Sequence, residues 1–281
     1  MNASLEIDRC GARKIMGKIP PMRVIMSVLD SIIEGVREDL AARRLPLHDL
    51  QEKLEHAPAP IDPHSQLRGD LVSVIAEVKR SSPSKGALAE ITDPAALART
   101  YEEAGASVIS VLTERRRFGG SLEDLTAVRS AVKIPVLRKD FMVDEYQFYE
   151  ARAYGADVVL LIVAALSTNQ LKDYYEMATE LGMASLVEVH THEELDRAME
   201  IEPRIIGINS RNLKTLEVDQ RAFAELLPAI PASIIRVAES GISTRLEVES
   251  AESFGADAIL VGEALVGAGD PLSALRTLQG L

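Results

Sequence analysis

The chain reads as an α/β protein, a closed (β/α)8 barrel with extra N-terminal helices, on three observations. Eight short apolar runs of strand length follow one another from Leu71 onward. Eight helical patterns alternate with them, and strictly alternating strands and helices imply a parallel sheet. A helix-end phrase also repeats, as Glu103-Ala104-Gly105-Ala106-Ser107, Ala153-Tyr154-Gly155-Ala156-Asp157 and Ser253-Phe254-Gly255-Ala256-Asp257. In each phrase the glycine suits the left-handed residue that ends a helix before the next strand. Eight such units in 281 residues fit a closed barrel better than an open doubly wound sheet.

Taken in order, residues 1–25 mix basic residues with Pro20-Pro21 and lack an apolar core of signal-peptide length. They read as a poorly ordered extension, with Met26 an alternative start, leaving 26–281 as one barrel domain. Leu29, Ile32, Ile33, Val36 and Leu40 recur at helical spacing over 27–44, and Pro46 ends that helix. A short helix is expected over 47–55, then a stiff linker rich in proline from Ala57 to Pro63. The strand-like runs are Val72–Val78, Val108–Leu112, Pro135–Arg138, Val158–Val163, Ser185–Val189, Ile205–Ile208, Ile234–Val237 and Ala258–Val261. Helical patterns lie at 94–104, 121–131, 145–154, 168–181, 192–200, 220–227, 243–253 and 271–279.

Composition narrows the function classes. A formal net charge of −12 and a pI near 5.0 argue against nonspecific nucleic-acid binding, which needs a basic surface. They leave room for an anionic small molecule in a local cationic pocket. Cys10 is the lone cysteine, so no disulfide forms within the chain, and a reducing, cytoplasmic setting is expected. No Cys/His cluster has metal-ligand spacing and no apolar run approaches a membrane span. Neither a metal, a membrane nor a nucleic-acid partner is expected, and the chain is expected to work as a monomer or a weak homodimer.

In such barrels chemistry sits at the C-terminal ends of the strands, and here those ends are polar. Glu77 and Lys79 are two apart on the first strand, so they share a face. They form either an ion pair capping the barrel or part of a ligand site. Lys139 ends the third strand and Glu188 the fifth. With Glu77 and Lys79 they offer both signs for proton transfer, against the alternative of a structural ring of ion pairs. Asn209 and Arg211 after the sixth strand are either a carboxylate anchor or a stabilising pair. Ser240-Gly241 and Gly262 sit where barrels commonly build a phosphate cup, or are simply short turns. The Ser81–Gly86 loop either closes over the same anion or is a surface loop. Phe118 and Phe141 are either walls for a planar ring or core. His190 reads as a satisfied histidine on the rim.

At these positions the chain resembles the indole-3-glycerol-phosphate synthase family. The matching phrases are Ile75-Ala76-Glu77-Val78-Lys79-Arg80-Ser81-Ser82-Pro83-Ser84, Val136-Leu137-Arg138-Lys139-Asp140-Phe141, Leu186-Val187-Glu188-Val189-His190, Gly207-Ile208-Asn209-Ser210-Arg211-Asn212-Leu213, Ala238-Glu239-Ser240-Gly241-Ile242 and Leu260-Val261-Gly262-Glu263. They cover about residues 27–280 in order. The resemblance implies closure of an indole ring on a phosphorylated 1-(2-carboxyphenylamino)-1-deoxyribulose, with loss of carbon dioxide and water and no cofactor. It makes Lys139 the general acid, Glu188 the base of the dehydration, and Lys79 a partner of the substrate carboxylate or a second acid. Glu77, Asn209 and Glu239 would orient these groups, and Arg211 would anchor the anthranilate end. Ser82, Ser240, Gly241, Gly262 and Glu263 would hold the phosphate, the last through its backbone N–H. Phe118 and Phe141 would wall the ring. A second barrel, the fused isomerase of some relatives, has no room in this length. The competing readings are a sugar-phosphate isomerase and a non-catalytic phosphate binder on the same scaffold.

Overall fold

The computed structural model describes residues 27–281 apart from Asp70 and Lys214. The proposed extension at 1–25 and the alternative start at Met26 lie outside the described residues. Eight parallel strands close into a barrel: β1 (Ser73–Val78), β2 (Val108–Leu112), β3 (Val136–Lys139), β4 (Val158–Ile162), β5 (Ala184–Val189), β6 (Ile205–Asn209), β7 (Ile235–Glu239) and β8 (Ala258–Val261). Each pairs with its neighbours in sequence, and β8 closes on β1 through Ser73↔Ala258 to Ala76↔Val261. The helices α3 (Pro94–Ala104), α4 (Leu122–Ala131), α5 (Tyr146–Ala153), α6 (Thr168–Glu180), α7 (His192–Met199), α8 (Arg221–Leu226), α9 (Arg245–Ser253) and α11 (Pro271–Gln279) follow the strands, with a single turn, α10 (Glu263–Val266), inserted after β8.

Local chemistry explains the boundaries. Ser121, Ser167, Thr191 and Thr244 cap their helices by accepting backbone N–H bonds in the first turn. The three repeated glycines adopt φ of 102° (Gly105), 90° (Gly155) and 102° (Gly255), as the repeat predicts. The strands run further than their apolar runs suggest. Lys139, Asn209 and Glu239 all lie inside the ladder, where the apolar pattern stopped one or two residues short. Polar side chains pointing into the barrel mouth leave the backbone pairing intact, so loss of hydrophobicity marks the site rather than the strand end. The predicted β4 instead overshoots by one residue, because Val163–Ala165 turns into a short 3-10 helix.

Two extra helices, α1 (Val28–Arg43) and α2 (Leu47–His56), precede the barrel. Ser27 and Asp30 form a reciprocal capping box at the start of α1. The apolar stripe of α1 is buried at Leu29, Ile32, Val36 and Leu40. Arg43 makes a two-pronged pair with Glu150 of α5, at 3.0 Å on each prong. Arg116, in the loop after β2, reaches back to Asp39 and Glu38. These ties hold α1 over the C-terminal mouth. The linker after α2 closes the opposite end, where Pro63 and Leu67 pack against Ile75, Leu137, Leu186 and Ile205.

Candidate active site

Alternation along each strand sorts the rim into two sets. On β3, Lys139 points into the barrel while Arg138 points outward beneath α5. Arg138 is fully buried and bonds Asp140 and Glu150, both at 2.9 Å, together with Thr113 and the Gln147 carbonyl. Thr113 and Asp140 thus belong to a structural network behind the site, with Asp140 also reaching the cavity wall. Glu114 likewise accepts the backbone N–H groups of Arg116, Arg117 and Phe118, which shapes the loop that positions Phe118.

The inward set meets at the foot of one cavity of about 550 Å³. Lys79 Nζ donates to Glu77 Oε1 at 2.7 Å, and Ser110 adds a longer contact to Oε2 at 3.4 Å. Lys139 Nζ lies 3.2 Å from Glu188 Oε2 and 3.3 Å from Glu239 Oε2. The Asn209 amide accepts the Arg211 backbone N–H and also bonds Glu188. All fourteen residues named from the sequence line this cavity: Glu77, Lys79, Ser82, Phe118, Lys139, Phe141, Glu188, Asn209, Arg211, Glu239, Ser240, Gly241, Gly262 and Glu263.

Three buried carboxylates thus face two ammoniums. Burial opposes ionisation of all three, and the cations decide which ones keep their charge. At Glu77 the Lys79 and Lys139 charges win and the pKa is lowered. At Glu188, Lys139 and His190 outweigh burial in the same way. Glu239 is the one left over. Burial, with the Glu188 and Glu77 charges adding to it, pushes its pKa up to about 8, and neither of its oxygens has a well-formed hydrogen bond. Burial alone would lower the pKa of Lys139, but Glu188, Glu239 and Glu77 raise it and hold the ammonium protonated. The sequence left that balance open, and the carboxylates prevail.

Two glycines make room for these side chains. A Cβ on Gly207 would come within 2.0 Å of Glu239 Oε1, and one on Gly262 within 2.6 Å of Glu77 Oε1. A glycine inside a buried strand, such as Gly207 in β6, signals a close approach of this kind. Across the cavity, Ser240 and Gly241 are both left-handed, at φ 67° and 71°. Only the glycine could be foreseen there. A serine in that region is strained, and strain of this kind gathers at ligand sites.

The Ser81–Gly86 loop is a small hairpin, its strands Ser81–Ser82 and Gly86–Ala87 paired antiparallel, where the sequence reading saw only a loop. Lys85 from its tip pairs with Glu263 at 2.8 Å, and Ser84 accepts from Arg211 at 3.1 Å. Arg211 also bonds the Leu216 carbonyl, so its guanidinium is partly occupied within the protein. The Phe118 and Phe141 rings lie 6.3 Å apart and tilted by 37°. Both line the cavity and both pack on the core, so the two readings of them hold together. Ile32 of α1 and Leu213, Leu216 and Val218 of the loop after β6 complete the apolar lining, and only distant contacts, invisible in sequence, bring them there. The satisfied rim histidine is half right. His190 Nδ1 meets Glu194 at 3.0 Å, while Nε2 faces Glu188 without a hydrogen-bond partner.

Comparison with known proteins bears on the family. The family model described as "Indole-3-glycerol phosphate synthase" matches residues 29–278. An indole-3-glycerol phosphate synthase of Mycolicibacterium vanbaalenii is 57% identical over 254 residues, covering 90% of this chain and 93% of that one. That of Kineococcus radiotolerans is 58% identical over 262 residues, covering 90% and 95%. Among solved structures, a 3-hexulose-6-phosphate synthase superposes with a TM-score of 0.61 at 18% identity over 74% of this chain and 99% of that one, a likeness of fold alone. With the family model spanning nearly all of the barrel and its two preceding helices, the chain belongs to the indole-3-glycerol phosphate synthase family.

Proposed function

We propose that this cavity closes the indole ring of 1-(2-carboxyphenylamino)-1-deoxyribulose 5-phosphate, with loss of carbon dioxide and water, as a step of tryptophan biosynthesis. The observation that carries the assignment is Lys139 Nζ, set 3.2 Å from Glu188 and 3.3 Å from Glu239 at the foot of a cavity that extends to Ser240 and Gly241. The volume of about 550 Å³ suits a ligand of this size.

In the first step the ring carbon bearing the carboxylate bonds to the ketone carbon, and the ketone oxygen gathers negative charge. Lys139 protonates it. An ammonium held by the Glu188 and Glu77 carboxylates is a reluctant acid toward water, but an alkoxide is basic enough to take its proton. Carbon dioxide then leaves, and its bonding electrons restore the aromatic ring. In the last step the new hydroxyl departs as water. Glu188 takes a proton from the methylene carbon beside nitrogen, and the freed pair forms the second double bond of the indole. Lys79, fixed on Glu77, faces the substrate carboxylate and stands by as a second acid. Asn209 and Glu239 orient Glu188, Lys139 and the substrate hydroxyls, with Glu239 carrying a proton near neutral pH. Phe118 and Phe141 flank the aromatic ring, and Arg211 reaches toward the anthranilate end.

The phosphate sits against the backbone N–H groups of Ser240-Gly241 and Gly262-Glu263, with the Ser82 hydroxyl over it. Support comes from the paired left-handed residues and from Lys85, which draws the Glu263 carboxylate away from the anion. The lone cysteine fits a cytoplasmic setting.

Purified protein incubated with the carboxyphenylamino-deoxyribulose phosphate, without added metal, is expected to develop indole fluorescence. No signal would sink the assignment. Lys139→Ala is expected to lose most turnover, about 10²–10⁴-fold, while still binding a product analogue. Unchanged turnover would remove Lys139 from the role of acid.

A further inference from the structure

Ring closure with loss of carbon dioxide and water consumes a proton. The acids of the site give up two, one to the ketone oxygen and one to the departing hydroxyl. The base recovers only one, from the methylene carbon, and the substrate carboxylate leaves as neutral carbon dioxide. One proton per turnover must therefore come from solvent, into a site where Glu188 is 1% exposed.

We propose that His190 admits this proton, passing it from Glu194 at the rim through Glu188 toward Lys139. The inference rests on Glu188 being the base of the dehydration. His190 does not touch substrate; it is a positioning residue that acts through Glu188. Its geometry is that of a conduit. Glu194, in the first turn of α7, has an 18% exposed side chain, and its Oε2 lies 3.0 Å from His190 Nδ1. The same oxygen accepts the His190 backbone N–H at 2.7 Å, which fixes the ring's position. On the inner side Nε2 lies 3.4 Å from Glu188 Oε1, and among the described residues neither atom has a hydrogen-bond partner. From the other oxygen of Glu188 it is 3.2 Å to Lys139 Nζ. The path from solvent-touched carboxylate to buried ammonium is therefore three gaps long, each near hydrogen-bond length.

A histidine with a purely structural task would spend both nitrogens on partners; this one keeps a nitrogen aimed at the base. The charged groups around it favour loading. Burial alone would lower its pKa, but Glu194, Glu188 and, more distantly, Glu239 outweigh burial and raise it above the ordinary histidine value. During reset, Glu188 returns its captured proton to the lysine side and the imidazolium gives up the second. The neutral ring keeps its proton on Nδ1, so it turns about its Cβ–Cγ bond to bring the bare Nε2 to Glu194, takes up a proton there from solvent, and turns back. Each transfer moves only a proton, and the sum is the one proton that the reaction consumes.

The test compares His190→Asn and Glu194→Gln with the wild type in single-turnover and steady-state assays followed by indole fluorescence. The first turnover uses protons already stored on the lysines, so its rate is expected to stay within about twofold. Reset fails, so kcat is expected to fall about tenfold with little change in KM, and added imidazole is expected to restore much of it in His190→Asn. Glu194→Gln keeps the backbone bond but cannot carry a proton, and is expected to show the same split. An equal fall of single-turnover rate and kcat without imidazole rescue would make His190 merely structural and overturn the proposal. So would an unchanged kcat in both variants, which would mean that the proton enters through the cavity. Failure of the underlying assignment reads differently: the wild type would show no turnover at all.

Discussion

Glu239 illustrates what a single buried side chain does to the whole chain's pH response. Unfolded, it releases its proton near the ordinary 4.5; folded, it holds the proton up to about 8. Between those values the native state carries a proton that the unfolded state lacks, so stability falls as pH rises through the window and levels off above it. His190, whose pKa is also raised, acts with the same sign from its ordinary 6.5 upward. Glu77 and Glu188, both lowered, act oppositely, and their contribution is lost as pH drops below about 4.5. Thermal melts are expected to peak near the acid end of the window and decline toward pH 8. Glu239→Gln should flatten that decline, and an unchanged slope would show that the proton lies elsewhere. Gly207→Ala probes the same carboxyl from the backbone side. The added methyl must displace Glu239, and turnover is expected to drop at least about tenfold with the fold retained by circular dichroism. These residues also show what sequence can and cannot deliver. Lys139, Glu188 and Glu239 are legible because a charge ending an apolar strand is conspicuous. The assignment of charge among them is not, because it depends on distances across the barrel between strands tens of residues apart.

At the scale of elements, alternation and helix-end glycines made the barrel readable strand by strand, since each strand's periodicity and each cap is local. The hairpin at Ser81–Ala87 was not readable. Its two strands are two residues each, too short for any period, and its position depends on Lys85 meeting Glu263 and Arg211 meeting Ser84. Lys85 is 61% exposed along its side chain, so the tie to Glu263 is soft and sensitive to salt. Lys85→Ala is expected to raise KM a few-fold with kcat nearly unchanged, and the difference from wild type should shrink at high ionic strength. A kcat defect with constant KM would instead place the hairpin in the chemistry.

For the molecule as a whole, the decisive long-range network lies behind the site rather than in it. Arg138, Glu150 and Arg43 join β3, α5 and α1 through one carboxylate that is 2% exposed. Glu150→Ala would strand a fully buried guanidinium with Asp140 as its remaining anionic partner, and a loss of about 3–5 kcal/mol is expected in urea unfolding. Arg43→Ala, removing the half-exposed arm, should cost much less; equal losses would show that the buried pair is not the source. Arg138 sat beside Lys139 in the sequence with the same charge, and only the strand's two faces tell them apart.

The docking of α1 has a consequence for how the protein is made. Its fastenings, Arg43 to Glu150, Arg44 to Asp144 and Arg116 to Asp39, join it to chain emerging 77 to 107 residues later. A sixteen-residue helix with no partner is marginal in water. The first described segment to leave the ribosome therefore waits, and it settles over the mouth only after the third strand and the helix behind it have been synthesised.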